Sequence, residues 1–253
     1  MSTPGDREAG GPGEPGGRNY DNGMAGTGAL AALTAMPFFA GLDAAALERV
    51  ASGTRIRRFR RGEVVFHVGD PGDALFVIST GSVKITLPSE SGEEAILATL
   101  QPGEVFGELS LLDGAPRSAT AIALEPTETI VLQRDRFRQL MATEPTIRDA
   151  VLENMATEVR RLTTHVEDLH FLDVTGRLAK CLVRLAEEGR PDGNGGIRLR
   201  SALSQSELAA MVGCTRQSAN RVIGQFTDDG FIRVERDSIT VMNLAGLERA
   251  ARR

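Results

Sequence analysis

The chain has 253 residues, 41% hydrophobic and 25% charged, with a formal net charge of −5. That length admits one large or two modest domains, and the composition allows a sizeable buried core. Two cysteines, Cys181 and Cys214, exclude a disulfide framework, a four-thiolate iron–sulfur site and a Cys-rich zinc module, and no apolar run is long enough for a membrane span or a signal core.

Residues 1–28 are mostly Gly, Pro and charged residues, which bury too little apolar surface to offset their ordering entropy, so a disordered tail is expected. Order should begin near residues 30–40, followed by a helix over Ala44–Ala51 with Asp43 as its N-cap. From about residue 54 to residue 133 short apolar runs recur, at Val64-Val65-Phe66, 74–78, 83–87, 95–97 and 130–132. Gly69-Asp70-Pro71-Gly72, Gly81-Ser82, Ser91-Gly92 and Pro102-Gly103 separate them. Strands at that spacing with regular turn signals predict an antiparallel, jelly-roll-like β-roll over residues 29–142.

From Thr143 to Phe171 the pattern turns helical, with Pro145 fit for the first turn and apolar residues at Val151, Met155, Val159, Leu162, Val166 and Leu169. That period of about 3.5 residues lets the helix pack along its own β-roll or pair with a second copy. The charged flanks (Glu153, Glu158, Arg160, Arg161, Glu167, Asp168) favour a parallel homodimer. A further helix fits 174–188 with Gly189 as C-cap, and a loop fits 190–196. Ser204-Gln205-Ser206-Glu207 spells a capping box before a helix. Gly213-Cys214-Thr215 then turns the chain into a second helix over 216–226, stopped by Asp228-Asp229-Gly230. Two short strands about Glu235-Arg236-Asp237 and a helix capped by Asn243 complete a winged helix-turn-helix over 172–253. The fold class expected is therefore α+β: an N-terminal antiparallel β-roll, a long dimerisation helix over 143–171 and a C-terminal winged helix-turn-helix. Charge follows the division, since residues 171–253 carry 13 basic and 10 acidic side chains, net +3, against −8 elsewhere.

The densest chemistry lies in 106–120, FGELSLLDGAPRSAT. Gly107 permits close backbone approach, Glu108 can accept from a ribose hydroxyl, and Arg117 with Ser118 can address a phosphodiester bidentately. Taken singly, Glu108 and Arg117 would read as an ordinary salt bridge; their spacing inside a β-roll argues for a ligand. The three histidines give no haem-ligand set, both cysteines read as packing residues, and no Ser-His-Asp order, Walker loop or zinc spacing points to an enzyme.

Residues 106–120 closely resemble the phosphate-binding cassette of cyclic-nucleotide-binding domains. Phe171-Leu172-Asp173-Val174-Thr175-Gly176-Arg177 is similar to the hinge of the catabolite activator (Crp/Fnr) family, and Val212 to Arg221 is similar to that family's helix-turn-helix. The resemblance covers about residues 30–243. It implies ligand contacts from Gly107, Glu108, Leu109, Ser110, Arg117, Ser118 and Ala119, with Leu162, Thr163 and Thr164 of the dimer helix at the base. The family's first base-reading hydroxyl is missing, because Leu162 stands there, and Glu158 replaces a supporting arginine. The implied effector is cyclic AMP (cAMP), with cyclic GMP, cyclic di-GMP and no ligand as alternatives; no cofactor or metal is implied.

DNA contacts are implied for Ser204, Ser206, Thr215, Arg216, Gln217, Ser218, Asn220 and Arg221. The N-terminal end of a recognition helix meets base edges, and arginine suits guanine. Gln217 stands where the family's activators usually place glutamate, so an altered operator preference is expected. The implied partners are a near-palindromic DNA operator, a second copy of the chain and RNA polymerase. Ligand capture by Arg117 would repack the helix about Thr163 and Thr164 and swing both heads through the hinge at 168–175. A regulatory subunit acting on a protein partner, and a ligand-independent DNA-binding protein, are the rival functions.

Overall fold

The computed structural model describes residues 41–252 apart from 90–93, 188, 194, 200–202 and 236–237, together with residues 30, 33, 34, 36 and 39. The expected tail at 1–28, most of 30–40, the Ser91-Gly92 turn, Glu188, Asn194 and the Arg236-Asp237 turn lie outside the described residues.

Helix α1 (Ala44–Ala51) starts at Asp43, whose carboxylate accepts from the Ala46 amide at 2.7 Å. Eight strands follow: β1 (Thr54–Phe59), β2 (Val64–Phe66), β3 (Ala74–Thr80), β4 (Val83–Pro88), β5 (Glu94–Leu100), β6 (Val105–Phe106), β7 (Thr120–Ala123) and β8 (Thr127–Gln133). They form two four-stranded antiparallel sheets, ordered β1-β8-β3-β6 and β2-β7-β4-β5. Strand β3 is buried along almost its whole length and reads as a continuous apolar run. Strand β1, TRIRRF, carries Arg55, Arg57 and Arg58 between its buried ends Thr54 and Phe59, which masks its apolar pattern.

A short helix α2 (Leu109–Asp113) interrupts the β-roll between β6 and β7. Helix α3 (Arg134–Thr143) leaves β8 and buries Phe137 and Leu140, within the span where only a β-roll is expected from sequence. The long helix α4 (Pro145–Phe171) follows. Its apolar stripe is divided. Ile147 and Val151 are buried in the β-roll core and Met155 packs against that core, whereas Leu152, Val159, Leu162, Val166 and Leu169 are exposed. The free stripe therefore begins at Leu152, 65% exposed, and not at Val151, 3% exposed. Residues 152, 155, 159, 162, 166 and 169 keep strict three–four alternation, and 151 breaks it.

Helix α5 (Val174–Glu187), α6 (Gln205–Val212), α7 (Arg216–Asp228) and α8 (Leu244–Ala250) surround one apolar core with Leu178, Leu182, Leu208, Val222 and Phe226 at its centre. The capping box forms as read, with Ser204 accepting from the Glu207 amide and Glu207 accepting from that of Ser204. Gly213 closes α6 at φ +63°, where a side chain would be strained. Two corrections arise here. Gly189 has no left-handed backbone; it is small because a Cβ there would meet Ile197, the Ala186 carbonyl and the Arg198 carbonyl. The loop expected at 190–196 is bounded by two short strands, β9 (Arg190–Pro191) and β10 (Ile197–Arg198), which extend the wing of β11 (Ile232–Glu235) and β12 (Ser238–Val241) into a sheet ordered β11-β12-β10-β9.

The β-roll and the C-terminal helices touch. Ile96 of β5 is buried within the core of the C-terminal helices. Arg177 of α5 donates to the carbonyls of Leu172 (2.9 Å) and Val212 (2.8 Å), tying the end of α4 to the turn between α6 and α7.

Candidate functional site

The segment around α2 is held from three sides. Arg117 and Asp70 bond through the Arg117 amide and the Asp70 carbonyl at 2.8 Å, and the Gly69 amide returns to the Arg117 carbonyl at 2.8 Å. Arg134 donates to the Gly72 carbonyl and to the Ser110 carbonyl, fixing α2 against the β2–β3 turn. Gly107 has φ +82°, and a Cβ there would lie 2.7 Å from an Arg117 nitrogen. Only glycine lets the backbone pass so close to that guanidinium.

Arg117 is 3% exposed. Its terminal nitrogens donate to the carbonyls of Gly107 (2.6 Å) and Ala74 (2.7 Å), and the guanidinium rests on the Phe66 ring at 4.2 Å. Asp73 lies 3.8 Å away, and no ion pair joins Arg117 to Glu108 among the described residues, so the simple salt-bridge reading does not hold. Arg117 Nε is buried and has no hydrogen-bond partner. Burial pushes the guanidinium's pKa down, opposed mainly by Asp73 and Glu108. Glu108 is 8% exposed, and burial raises its carboxyl above the usual carboxylate range, with Glu158 adding to the effect and Arg117 opposing it.

These groups open onto a cavity of about 310 Å³. Gly107, Glu108, Leu109, Ser110, Arg117, Ser118, Ala119 and Leu162, all singled out from sequence, line it together. Thr163 and Thr164 do not. One residue turns a helix by about 100°, so Thr163 lies on the outer surface and donates to the Val159 carbonyl, while Thr164 lines a different cavity. Sequence reading missed Phe66, Ile85 and Leu97 of the sheet and Met155 and Arg161 of α4, because contiguity in the chain signals nothing about walls brought from other elements. Glu158, noted only as a departure from the family, also lines the cavity and pairs with Arg161 at 2.6 Å.

The second group of candidates sits on α6 and α7. Ala219, Val222, Ile223 and Phe226 bury one face of α7, leaving Arg216, Gln217, Asn220 and Arg221 exposed. Neither arginine has a carboxylate partner among the described residues. Thr215 caps α7 by accepting from the Ser218 amide at 3.2 Å, and its hydroxyl meets that of Ser218 at 3.0 Å. Ser204 is likewise engaged in its capping box, so these hydroxyls position the helices as well as facing outward. Ser204, Ser206, Thr215 and Arg216 line a cleft whose opposite wall is the β4–β5 hairpin, with Lys84 and Glu94 across from them.

Two family models match the chain. Residues 56–144 match the cyclic nucleotide-binding domain and residues 176–250 match the Crp-like helix-turn-helix domain. The chain is 34% identical over 214 residues to the CRP-like cAMP-activated global transcriptional regulator of Mycobacterium tuberculosis, covering 85% of this chain and 96% of that protein. It is 31% identical over 215 residues to the cyclic AMP receptor protein of Thermus thermophilus, with the same coverage. Among solved structures it is similar to the c-di-GMP responsive global regulator CLP of Xanthomonas campestris, with TM-score 0.71, 28% identity and coverage of 79% of this chain and 99% of that one. A β-roll whose cassette is built around Arg117, joined to a winged helix-turn-helix and matched along its length by these relatives, places the chain in the Crp/Fnr family of transcription regulators.

Proposed function

We propose that this chain is a homodimeric, ligand-gated regulator that acts in the cytoplasm by binding and not by catalysis. It divides into a cyclic-nucleotide-binding β-roll over 29–142, a dimer helix and hinge over 143–171 and a DNA-binding unit over 172–253. The effector is cAMP, the nucleotide that the Mycobacterium tuberculosis and Thermus thermophilus relatives carry in their names. The observation that carries the reading is Arg117, which lines the same cavity as Glu108 and keeps a buried Nε–H without a hydrogen-bond partner. A cyclic phosphate accepts a hydrogen bond from that N–H and from a terminal nitrogen without breaking the bonds to Gly107 and Ala74. Ser118 adds a hydroxyl, and Glu108 accepts from the ribose 2′-hydroxyl. A cavity of about 310 Å³ lies at the lower end of the range of small-ligand pockets, which favours one nucleotide over the two of cyclic di-GMP.

The ligand would touch α4 directly, since Met155, Glu158, Val159, Arg161 and Leu162 line the same cavity. Force on that helix reaches Leu172, where it ends, and through Arg177 the turn before α7. The exposed stripe from Leu152 to Leu169 pairs with its copy, and the two heads then face half-sites of a near-palindromic operator about one helical turn (~34 Å) apart. Gating follows if the ligand binds the operator-competent arrangement more tightly than the one in which Arg216 faces the β4–β5 hairpin. RNA polymerase is the downstream partner. Calorimetry with cAMP, cyclic GMP and cyclic di-GMP tests the assignment: cAMP binds at one site per chain, and failure of all three to bind refutes it.

A further inference from the structure

A second cavity, of about 420 Å³, lies where the β-roll, α4 and the C-terminal helices meet. Its apolar wall includes Ile96, Leu97, Val183 and Met211. Its charged wall holds Arg161, Arg177, Lys180 and Arg184 with His165, against only Asp168 and Glu187. Asp168 is committed to Lys180 at 2.6 Å. Arg177 spends its donors on backbone carbonyls, and Arg184 has no carboxylate partner among the described residues. Arg161 pairs with Glu158 through a terminal nitrogen, but its Nε is buried without a partner. Four cations therefore meet three carboxylates, Glu158 included, and the unmatched guanidinium is that of Arg184, exposed and free to take a counter-anion at the edge of the cavity.

The geometry points to this cavity as a second small-molecule site, for an organic anion with an apolar body such as an aryl carboxylate or sulfonate. The acid group meets Arg184 and Arg161, and the ring system lies against Ile96, Val183 and Met211. The volume falls within the range of small-ligand pockets. Leu97, Ala98, Arg161 and Leu162 line this cavity and the β-roll cavity alike, so an occupant of one sets a wall of the other. That shared wall makes the anion a co-effector. The co-effector role rests on the nucleotide reading, whereas the anion site itself does not.

The test uses the full-length chain with 8-anilinonaphthalene-1-sulfonate as the fluorescent probe and 2-naphthoate as competitor. Saturable binding at one probe per chain, displaced by 2-naphthoate, is expected. Arg184→Gln and the cavity-filling Val183→Trp each weaken probe binding tenfold or more, and Arg184→Lys restores most of it. Circular dichroism and thermal melting establish that each variant is folded. Probe binding unchanged in Arg184→Gln and Val183→Trp overturns the site, as does binding abolished by Arg117→Lys, which would put the probe in the β-roll. With the site occupied, the cAMP dissociation constant shifts threefold or more, and the probe's constant shifts by the same factor when cAMP is saturating. Probe binding without any such shift removes the co-effector role and leaves the site. Failure of cAMP to bind at all removes the nucleotide reading instead.

Discussion

Arg117→Lys separates the scaffold role of the guanidinium from its proposed role at the phosphate. In the structure it joins the Gly107 and Ala74 carbonyls, at 2.6 and 2.7 Å, and stacks on Phe66 at 4.2 Å. A lysine keeps the charge but has no planar fork, so it reaches one carbonyl and leaves the other buried without a donor. Losing a hydrogen bond from a charged donor costs about 1.5–3 kcal/mol, and weaker stacking adds about 0.5–1 kcal/mol. The β-roll should therefore lose about 2–4 kcal/mol, a fall in melting temperature of roughly 10 °C for a chain of this size. Nucleotide binding loses one of two phosphate contacts, about 1.5–3 kcal/mol, so the cAMP dissociation constant rises roughly 10- to 100-fold. Differential scanning calorimetry reads the first quantity and isothermal titration the second. A variant that melts lower but binds cAMP within threefold of the parent would show that Arg117 is scaffold alone.

Further outcomes follow from the same geometry. Glu108→Gln removes a buried carboxylate held above its ordinary pKa, mainly by burial and then by Glu158. A raised carboxyl contributes stability below its ordinary value and loses it as pH rises through the folded value, so at pH 7 the glutamine variant should melt higher while binding cAMP more weakly. A variant that melts no higher contradicts the burial argument. Val166→Glu, on the exposed stripe of α4, should yield a folded monomer in sedimentation velocity; an unaltered dimer would place the interface elsewhere. Arg221→Ala removes an exposed arginine and should weaken operator binding roughly tenfold, since one good base contact is worth about 1–3 kcal/mol; equal losses on unrelated duplexes would make it a phosphate contact. His165 is held below its ordinary 6.5 chiefly by burial, with Arg184, Arg161 and Arg177 pressing the same way and Asp168 opposing. Its neutral form belongs to the folded chain, so stability present above about pH 6.5 is lost as pH falls toward the lower folded value. His165→Gln should flatten the melting temperature across that interval; an unchanged slope would assign the loss to other groups.

Contiguity decided what could be read from the amino-acid order. Residues 107–119 supply both Arg117 and Glu108 within one segment, and the Ser204–Glu207 capping box sits three residues apart, so local patterns carry both. Leu97, Met155 and Arg161 reach the same cavity from a strand and a helix far along the chain, and no local pattern announces that. The long helix is instructive. Val151 and Leu152 are equally apolar neighbours, but their directions differ by about 100°, which buries the first in the β-roll and leaves the second exposed. Thr163 and Thr164 do not line the β-roll cavity of the single chain for the same reason, since a hydroxyl one or two positions from Leu162 faces another surface. Strands β1, β9 and β10 were obscured by arginine, proline and a short pairing partner, where tertiary context outweighs propensity.

Occupancy of the β-roll cavity should change how the C-terminal helices hold DNA. Fluorescence anisotropy measures this most directly, with a labelled near-palindromic duplex selected from a random library by the purified protein. Saturating cAMP should tighten binding to that duplex tenfold or more, and Arg117→Lys should require correspondingly more nucleotide to reach the same affinity. Equal DNA affinity with and without cAMP, in a protein that binds the nucleotide, would contradict the account.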